Sequence, residues 1–271
     1  MAAEIGLDAI TIDYASIEDA KKMSGLRLVL GNYAVPGPWR EACKGLFYIK
    51  GISYTPVVAA SLSGDDKELR EWTAQSSAPV AIWNDEPPRS KWFEQLYLAE
   101  RLEPNPPLIP DNIEDRMLMF GYCNEICGES GYAWSKRLLM IHSMLTNPDV
   151  DDATRAFWAG FGNKYGYSPE AAQAAPQHMA TVIGSLASRL KEQKSKGNQF
   201  FIGNQLSALD IYWATFAALL HPLPEEQCPM ATAFRGFYAN ADPTIAAALS
   251  PALLEHRDFI YQEYLELPIV F

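Results

Sequence analysis

The stretch LRLVLGNYAVPGPWREACKGLFYIKG, residues 26–51, decides how the rest of the chain is read. Its first part, Leu26 to Tyr33, is short and aliphatic, the pattern of a strand, and Pro36-Gly37-Pro38 stops it. Pro38 can start a helix, because the N–H it lacks has no partner in a first turn. Trp39 to Lys50 then reads as helix, with Ala42, Leu46 and Ile49 on one stripe, and Gly51 ends it. A strand running through a proline turn into a helix predicts an α/β unit.

Outward from there the pattern continues. Tyr54 to Ala60 reads as a second strand, Asp65 to Gln75 as a short polar helix or loop, and Pro79 to Trp83 as a third strand turned by Asn84-Asp85-Glu86. Pro87 and Pro88 cannot donate to a ladder, so a strand there could only be an edge strand. Ser90 opens a predicted helix reaching about Leu102, with Phe93, Leu96 and Tyr97 at helical spacing. Pro104 to Pro110 holds four prolines in seven residues, which excludes regular structure and marks a linker. Beyond it the texture is helical only: Ile113–Glu129, Tyr132–Leu145, Asp152–Lys164, Ala171–Lys194, Ser207–Leu220 and Pro251–Leu265. The expected organisation is an N-terminal extension over 1–25, an α/β domain over 26–103, a linker over 104–112 and an all-helical domain over 113–271.

Composition sets limits on function. The chain has 271 residues, 48% hydrophobic and 20% charged, an ordinary globular balance that excludes wholesale disorder. Its net charge of −11 argues against binding nucleic acid, which needs a basic surface, and against docking on anionic lipid. The apolar run Ile211 to Leu220 is about half the length that spans a bilayer, so it reads as a buried core helix and no membrane association is expected. Glu4, Asp8 and Asp13 stand where an export signal carries positive charge, so the expected location is the cytoplasm. Cys43, Cys123, Cys127 and Cys228 form no CxxC pair, and no zinc spacing joins them to His142, His178, His221 or His256, so no metal is expected. Cys123 and Cys127 share a helix face and read as small buried hydrophobes.

Three local signals remain. Ser207-Ala-Leu-Asp210 is a capping box with Asp in the Glu/Gln role, and Leu206 and Ile211 are placed to staple it. Pro79 enters the third strand either as a plain strand-start residue or in the cis form. Arg89-Ser90 precedes a helix, where a serine cap is common and where free N–H groups and dipole charge also suit a carboxylate.

Taken in order, the strand into Pro38-Trp39-Arg40, the helix ending Lys50-Gly51-Ile52, the Ala78-Pro79-Val80 step, Arg89-Ser90, the proline-rich linker and Ser207-x-x-Asp210 resemble a cytosolic glutathione transferase, of no assigned class, from about Leu26 to the C-terminus. The resemblance implies a thioredoxin-like N-terminal domain that binds glutathione as co-substrate. It also implies an all-helical domain shaping a pocket for an apolar electrophile, a homodimer and a detoxifying role. By the same resemblance Pro79 is the cis-proline, Val80 pairs through its backbone with the cysteinyl part of glutathione, and Ser90 holds the γ-glutamyl carboxylate. Arg89 stands where the family has Glu or Gln, and an arginine can still meet a carboxylate. Ser207 and Asp210 are implied to be folding residues.

The residue that activates the thiol is where the patterns diverge. In serine- and cysteine-type members it lies fourteen positions before the glycine of the Lys-Gly-Ile turn, which here is Gly37, without a side chain. In tyrosine-type members it lies eighteen positions before, which here is Tyr33, the catalytic candidate. Asn32 is a second donor, and the backbone N–H groups near Trp39 and Arg40 could also steady a thiolate. Three functions compete: conjugation of glutathione to an apolar electrophile, ligand binding without catalysis, and a specialised glutathione-dependent lyase or isomerase.

Overall fold

The computed structural model describes residues 12–31, 35–59, 66–230, 232–239 and 242–270. Two compact units appear. The first holds the residues up to Pro106 together with Pro222–Gly236 and the chain from Tyr261 on; the second holds Pro107–His221 and Phe237–Ile260.

In the first unit, helix α1 (Ile17–Ala20) is capped by the Ser16 hydroxyl oxygen, which accepts the Asp19 N–H. Strand β1 (Leu26–Gly31) is buried along its whole length. Helix α2 (Pro38–Ile49) carries the chain over to β2 (Tyr54–Ala59), the crossover that a parallel pair requires. Helix α3 (Lys67–Thr73), strand β3 (Val80–Trp83) and helix α4 (Trp92–Leu102) follow. The sheet order is β2-β1-β3: β1 runs parallel to β2 from Leu26↔Tyr54 to Gly31↔Ala59, and antiparallel to β3 from Leu26↔Trp83 to Val29↔Val80. Ala15 adds a parallel bridge to Val57, so the leader continues the sheet beyond β2. Val29, Val57, Leu69, Val80 and Ile82 pack with Ile17 into one core, each burial worth about 1.5–3 kcal/mol.

Among its described residues the second unit has helices and no strand: α5 (Ile113–Cys127), α6 (Tyr132–Thr146), α7 (Asp152–Tyr165), α8 (Pro169–Ser195) and α9 (Ala208–Phe216) with a 3-10 turn at Ala217–Leu219. Three more helices follow in the chain, α10 (Thr232–Tyr238), α11 (Pro243–Ala248) and α12 (Pro251–Tyr264). Every residue of α9 is buried, as its apolar run requires. Asp210 closes the capping box there, accepting the Ser207 N–H at 2.9 Å and the Ser207 hydroxyl at 2.8 Å. Its other oxygen accepts the Phe201 N–H at 3.0 Å and faces His256 Nε2 at 2.9 Å. Cys123 and Cys127 are buried, and burial raises both thiols well above their ordinary range.

Several boundaries differ from the sequence reading. Strand β1 ends at Gly31, and 32–34 lie outside the described residues. The segment after Pro87-Pro88 makes one bridge, Arg89 to Ala81, because two prolines leave no donors for a longer ladder. The cap of α4 is Lys91 and not Ser90, since Ser90 still follows the extended bridge. Helices α1, α10 and α11 are too short for a periodic stripe; for α11 the Asp242-Pro243 pair, a cap followed by a first-turn proline, is the local signal.

Candidate functional site

In the first unit the end of β1, the start of α2, the entry to β3 and the start of α4 carry the residues of interest. The Ala78–Pro79 peptide is cis. Pro79 and Val80 are buried, and Val80 pairs with Val29 of β1. On the opposite edge of β3, Ala81 and Arg89 exchange both backbone hydrogen bonds at 2.9 Å. The buried Gln95 of α4 joins these pieces. Its Nε2 donates to Pro79 O at 3.1 Å and to Arg89 O at 3.3 Å. Sequence reading passed over Gln95, although a polar residue beside Leu96 on the inward stripe of an amphipathic helix was the available signal.

Arg89 and Ser90 sit side by side but do different work. The Arg89 guanidinium pairs with Glu86 at 2.6 Å, and Glu86 also receives Arg101 at 2.6 and 2.8 Å. Arg101 first, and Arg89 after it, hold the Glu86 carboxyl below its ordinary range. The backbone N–H of Ser90 donates to the Glu94 carboxylate at 3.1 Å, and that of Lys91 at 3.0 Å. Glu94 thus closes the cap from inside the helix, while the Lys91 ammonium has no lone pair to return a bond. The Ser90 hydroxyl is half-buried and makes no hydrogen bond among the described residues.

At α2, Gly37 is the N-cap, with φ −73° and ψ 110°, and contributes no side-chain bond. Trp39 is half-buried at the second helical position, in a first turn whose N–H groups point out of the helix end. Arg40 is buried. Its guanidinium donates to Gly31 O at the end of β1 and to Val35 O, and so spans the two ends of the 32–34 segment. Its Nε bonds Glu41 at 3.2 Å, and Glu41 receives Lys44 at 2.9 Å. Tyr33 and Asn32 lie outside the described residues. Among the described residues no group of three or more His, Cys, Asp or Glu is placed to hold a metal, and no helix is long and apolar enough to cross a membrane.

No family model and no curated protein matches the chain. Solved structures do. A Tau class glutathione S-transferase from mango, Mangifera indica, is 18% identical with TM-score 0.51, over 88% of this chain and 98% of its own. The β-etherase LigF from Sphingobium sp. strain SYK-6 is 16% identical with TM-score 0.55, over 86% and 99%.

The fold is that of the glutathione transferases.

A glutathione S-transferase from Methylobacterium radiotolerans, solved with glutathione sulfonate, is 15% identical with TM-score 0.52, over 83% and 95%. In the glutathione transferase fold the three-stranded sheet with α2 to α4 is the thioredoxin-like part, and α5 to α9 belong to the all-α part. The fold sets the cis-proline turn, the Ser90-Lys91 step and the start of α2 on one frame.

Proposed function

We propose that the chain is a glutathione transferase that joins the glutathione sulfur to an apolar electrophile. The observation that carries this reading is the Gln95 carboxamide, which binds the cis-Pro79 turn and the Arg89-Ser90 segment to one another within a glutathione transferase fold. A buried tie of that kind holds two recognition segments at fixed spacing, which binding a tripeptide needs. Val80 would pair with the cysteinyl backbone and the Ser90 hydroxyl would take the γ-glutamyl carboxylate. Tyr33 or the start of α2 at Trp39 would face the sulfur. The thiol gives its proton to solvent. The thiolate lone pair then forms the S–C bond, and the leaving group departs with the electrons of the bond it breaks. The protein positions the two reactants and stabilises the anion. The same reading takes the protein as a cytoplasmic homodimer.

A second reading, a glutathione-binding protein without catalysis, is favoured by Gly37, which puts no hydroxyl or thiol at the cap of α2. Calorimetry with glutathione, followed by a conjugation assay on a generic aromatic electrophile, separates the two. Binding with turnover supports the transferase. Binding without turnover on that compound or on a panel of ethers and isomerisable substrates supports the binding protein. No binding overturns both.

A further inference from the structure

The Gln95 carboxamide has two ends, and the chain uses one of them. Pro79 O and Arg89 O are both acceptors, so the atom that meets them at 3.1 and 3.3 Å has to be the nitrogen, and its two N–H groups are spent there. The oxygen Oε1 then points the other way on the planar group. It accepts no hydrogen bond among the described residues, although Gln95 is only 3% exposed. A buried acceptor left without a donor lowers stability, so native chains rarely keep one that nothing outside the chain fills. The neighbouring Arg89 and Ser90 are half-buried, so this corner lies at the surface of the unit.

The carboxamide stands between two segments that have different tasks in the glutathione reading. Pro79 precedes Val80, assigned the cysteinyl backbone, and Arg89 precedes Ser90, assigned the γ-glutamyl carboxylate. The part of glutathione that runs between those two points is the γ-glutamyl arm. Once the cysteinyl amide has paired with Val80, the donor left on that arm is the α-ammonium. Arg89 cannot receive it, because a guanidinium has no acceptor and this one is paired with Glu86 at 2.6 Å. The Glu94 carboxylate is turned to the Ser90 and Lys91 N–H groups.

We propose that Gln95 Oε1 accepts a hydrogen bond from the γ-glutamyl α-ammonium of glutathione, which makes Gln95 a binding residue as well as the tie between the two segments. The proposal rests on the glutathione reading above. It selects thiol peptides that carry a free amino group at that end over those that lack one. A carboxamide already fixed by two hydrogen bonds needs no reorganisation to receive the ligand.

The test is calorimetry on the whole protein with glutathione and with glutaryl-cysteinyl-glycine, the same tripeptide without the α-amino group. Wild type should bind glutathione about tenfold or more tightly than the desamino peptide, the scale of a hydrogen bond to a charged group. Gln95→Met removes both ends of the carboxamide. A residue that only ties the segments together would weaken both ligands by the same factor. The proposal requires that glutathione weakens more, so that the difference between the ligands shrinks to about twofold or less. If Gln95→Met does not fold, the 13C resonance of the Gln95 side-chain carbonyl in glutamine-labelled wild type reads the same contact. It should move downfield with glutathione and stay in place with the desamino peptide. Equal wild-type affinities, an equal loss for both ligands in Gln95→Met, or a carbonyl resonance that responds alike to both overturns the proposal while the glutathione reading stands. If wild type binds neither ligand, both fall.

Discussion

The Glu94 carboxylate accepts the backbone N–H of Ser90 at 3.1 Å, and so fills from within the chain a donor at the start of α4 that an incoming carboxylate would use. The Lys91 N–H is taken in the same way at 3.0 Å. The Ser90 hydroxyl has no hydrogen bond among the described residues.

Two variants separate these roles. Ser90→Ala removes a hydroxyl that caps nothing, so the melting temperature should stay within about a degree, the usual scale of neutral surface changes. Glutathione affinity should fall about tenfold or more, because a hydrogen bond to a charged group is worth roughly 1.5–3 kcal/mol. Glu94→Gln keeps an acceptor for the helix cap but removes the negative charge that competes with the ligand's carboxylate. Calorimetry should show tighter glutathione binding in Glu94→Gln. Unchanged affinity in both variants would mean that this helix start does not meet glutathione.

Gly37 tolerates a side chain. Its φ of −73° is ordinary for any residue, and among the described residues, its chain neighbours aside, nothing lies closer than 3.7 Å to a Cβ there. Gly37→Ser should fold with a stability gain of a few tenths of a kcal/mol from the better cap. If the sulfur sits at this helix start, conjugation at neutral pH should rise about tenfold, since a hydroxyl bonded to the thiolate contributes roughly 1.5–3 kcal/mol. A folded Gly37→Ser with normal glutathione affinity and unimproved turnover would place the sulfur elsewhere.

Asp210 should be far more costly to remove than a simple cap. It is fully buried and holds Ser207, the Phe201 N–H and His256 at once. Asp210→Ala should destabilise the protein by roughly 3–5 kcal/mol, the range for breaking a buried, hydrogen-bonded polar pair. Denaturant melts would show it. A loss no greater than about 1 kcal/mol, the typical cap, would show that the Phe201 and His256 contacts contribute little.

Lys136 gives a pH signature. It is buried in α6, and burial first, then the neighbouring Arg137, bring its pKa from 10.5 down to about 8. The folded chain therefore binds fewer protons here than the unfolded chain between about pH 8 and 10.5. Below that window the folded state carries the full cost of the buried charge; as pH rises through it, the cost disappears. Lys136→Met should thus stabilise the protein at pH 7 by about 1–3 kcal/mol and lose that advantage above about pH 10. A stability difference that stays flat from pH 6 to about 10.5 would exclude the linkage.

Much of the fold was legible because it depends on neighbours in sequence. The strand, proline turn and helix of 26–51, the capping box at Ser207 and Asp210, the buried run of α9 and the linker prolines are set by side-chain spacing, by proline's missing N–H and by orphaned helix donors. Those causes act over a few residues and leave a pattern in the chain. The site obeys longer-range causes. Gln95 reaches Pro79, sixteen positions back, and Lys44 reaches the carbonyl of Val270, 226 positions on. Segments 222–236 and 261–270 belong to the same unit as β1. Ser90 looked like a cap because serine commonly is one, and the bridge between Ala81 and Arg89 kept it extended. Arg40 looked like an ordinary helix residue, and only the folded chain brings its guanidinium to the carbonyls of Gly31 and Val35. Residue type and spacing determined which elements form; which buried charges and hydrogen-bonding groups face each other was decided only in the folded state, where a low dielectric makes each unpaired group expensive and so selects the partners.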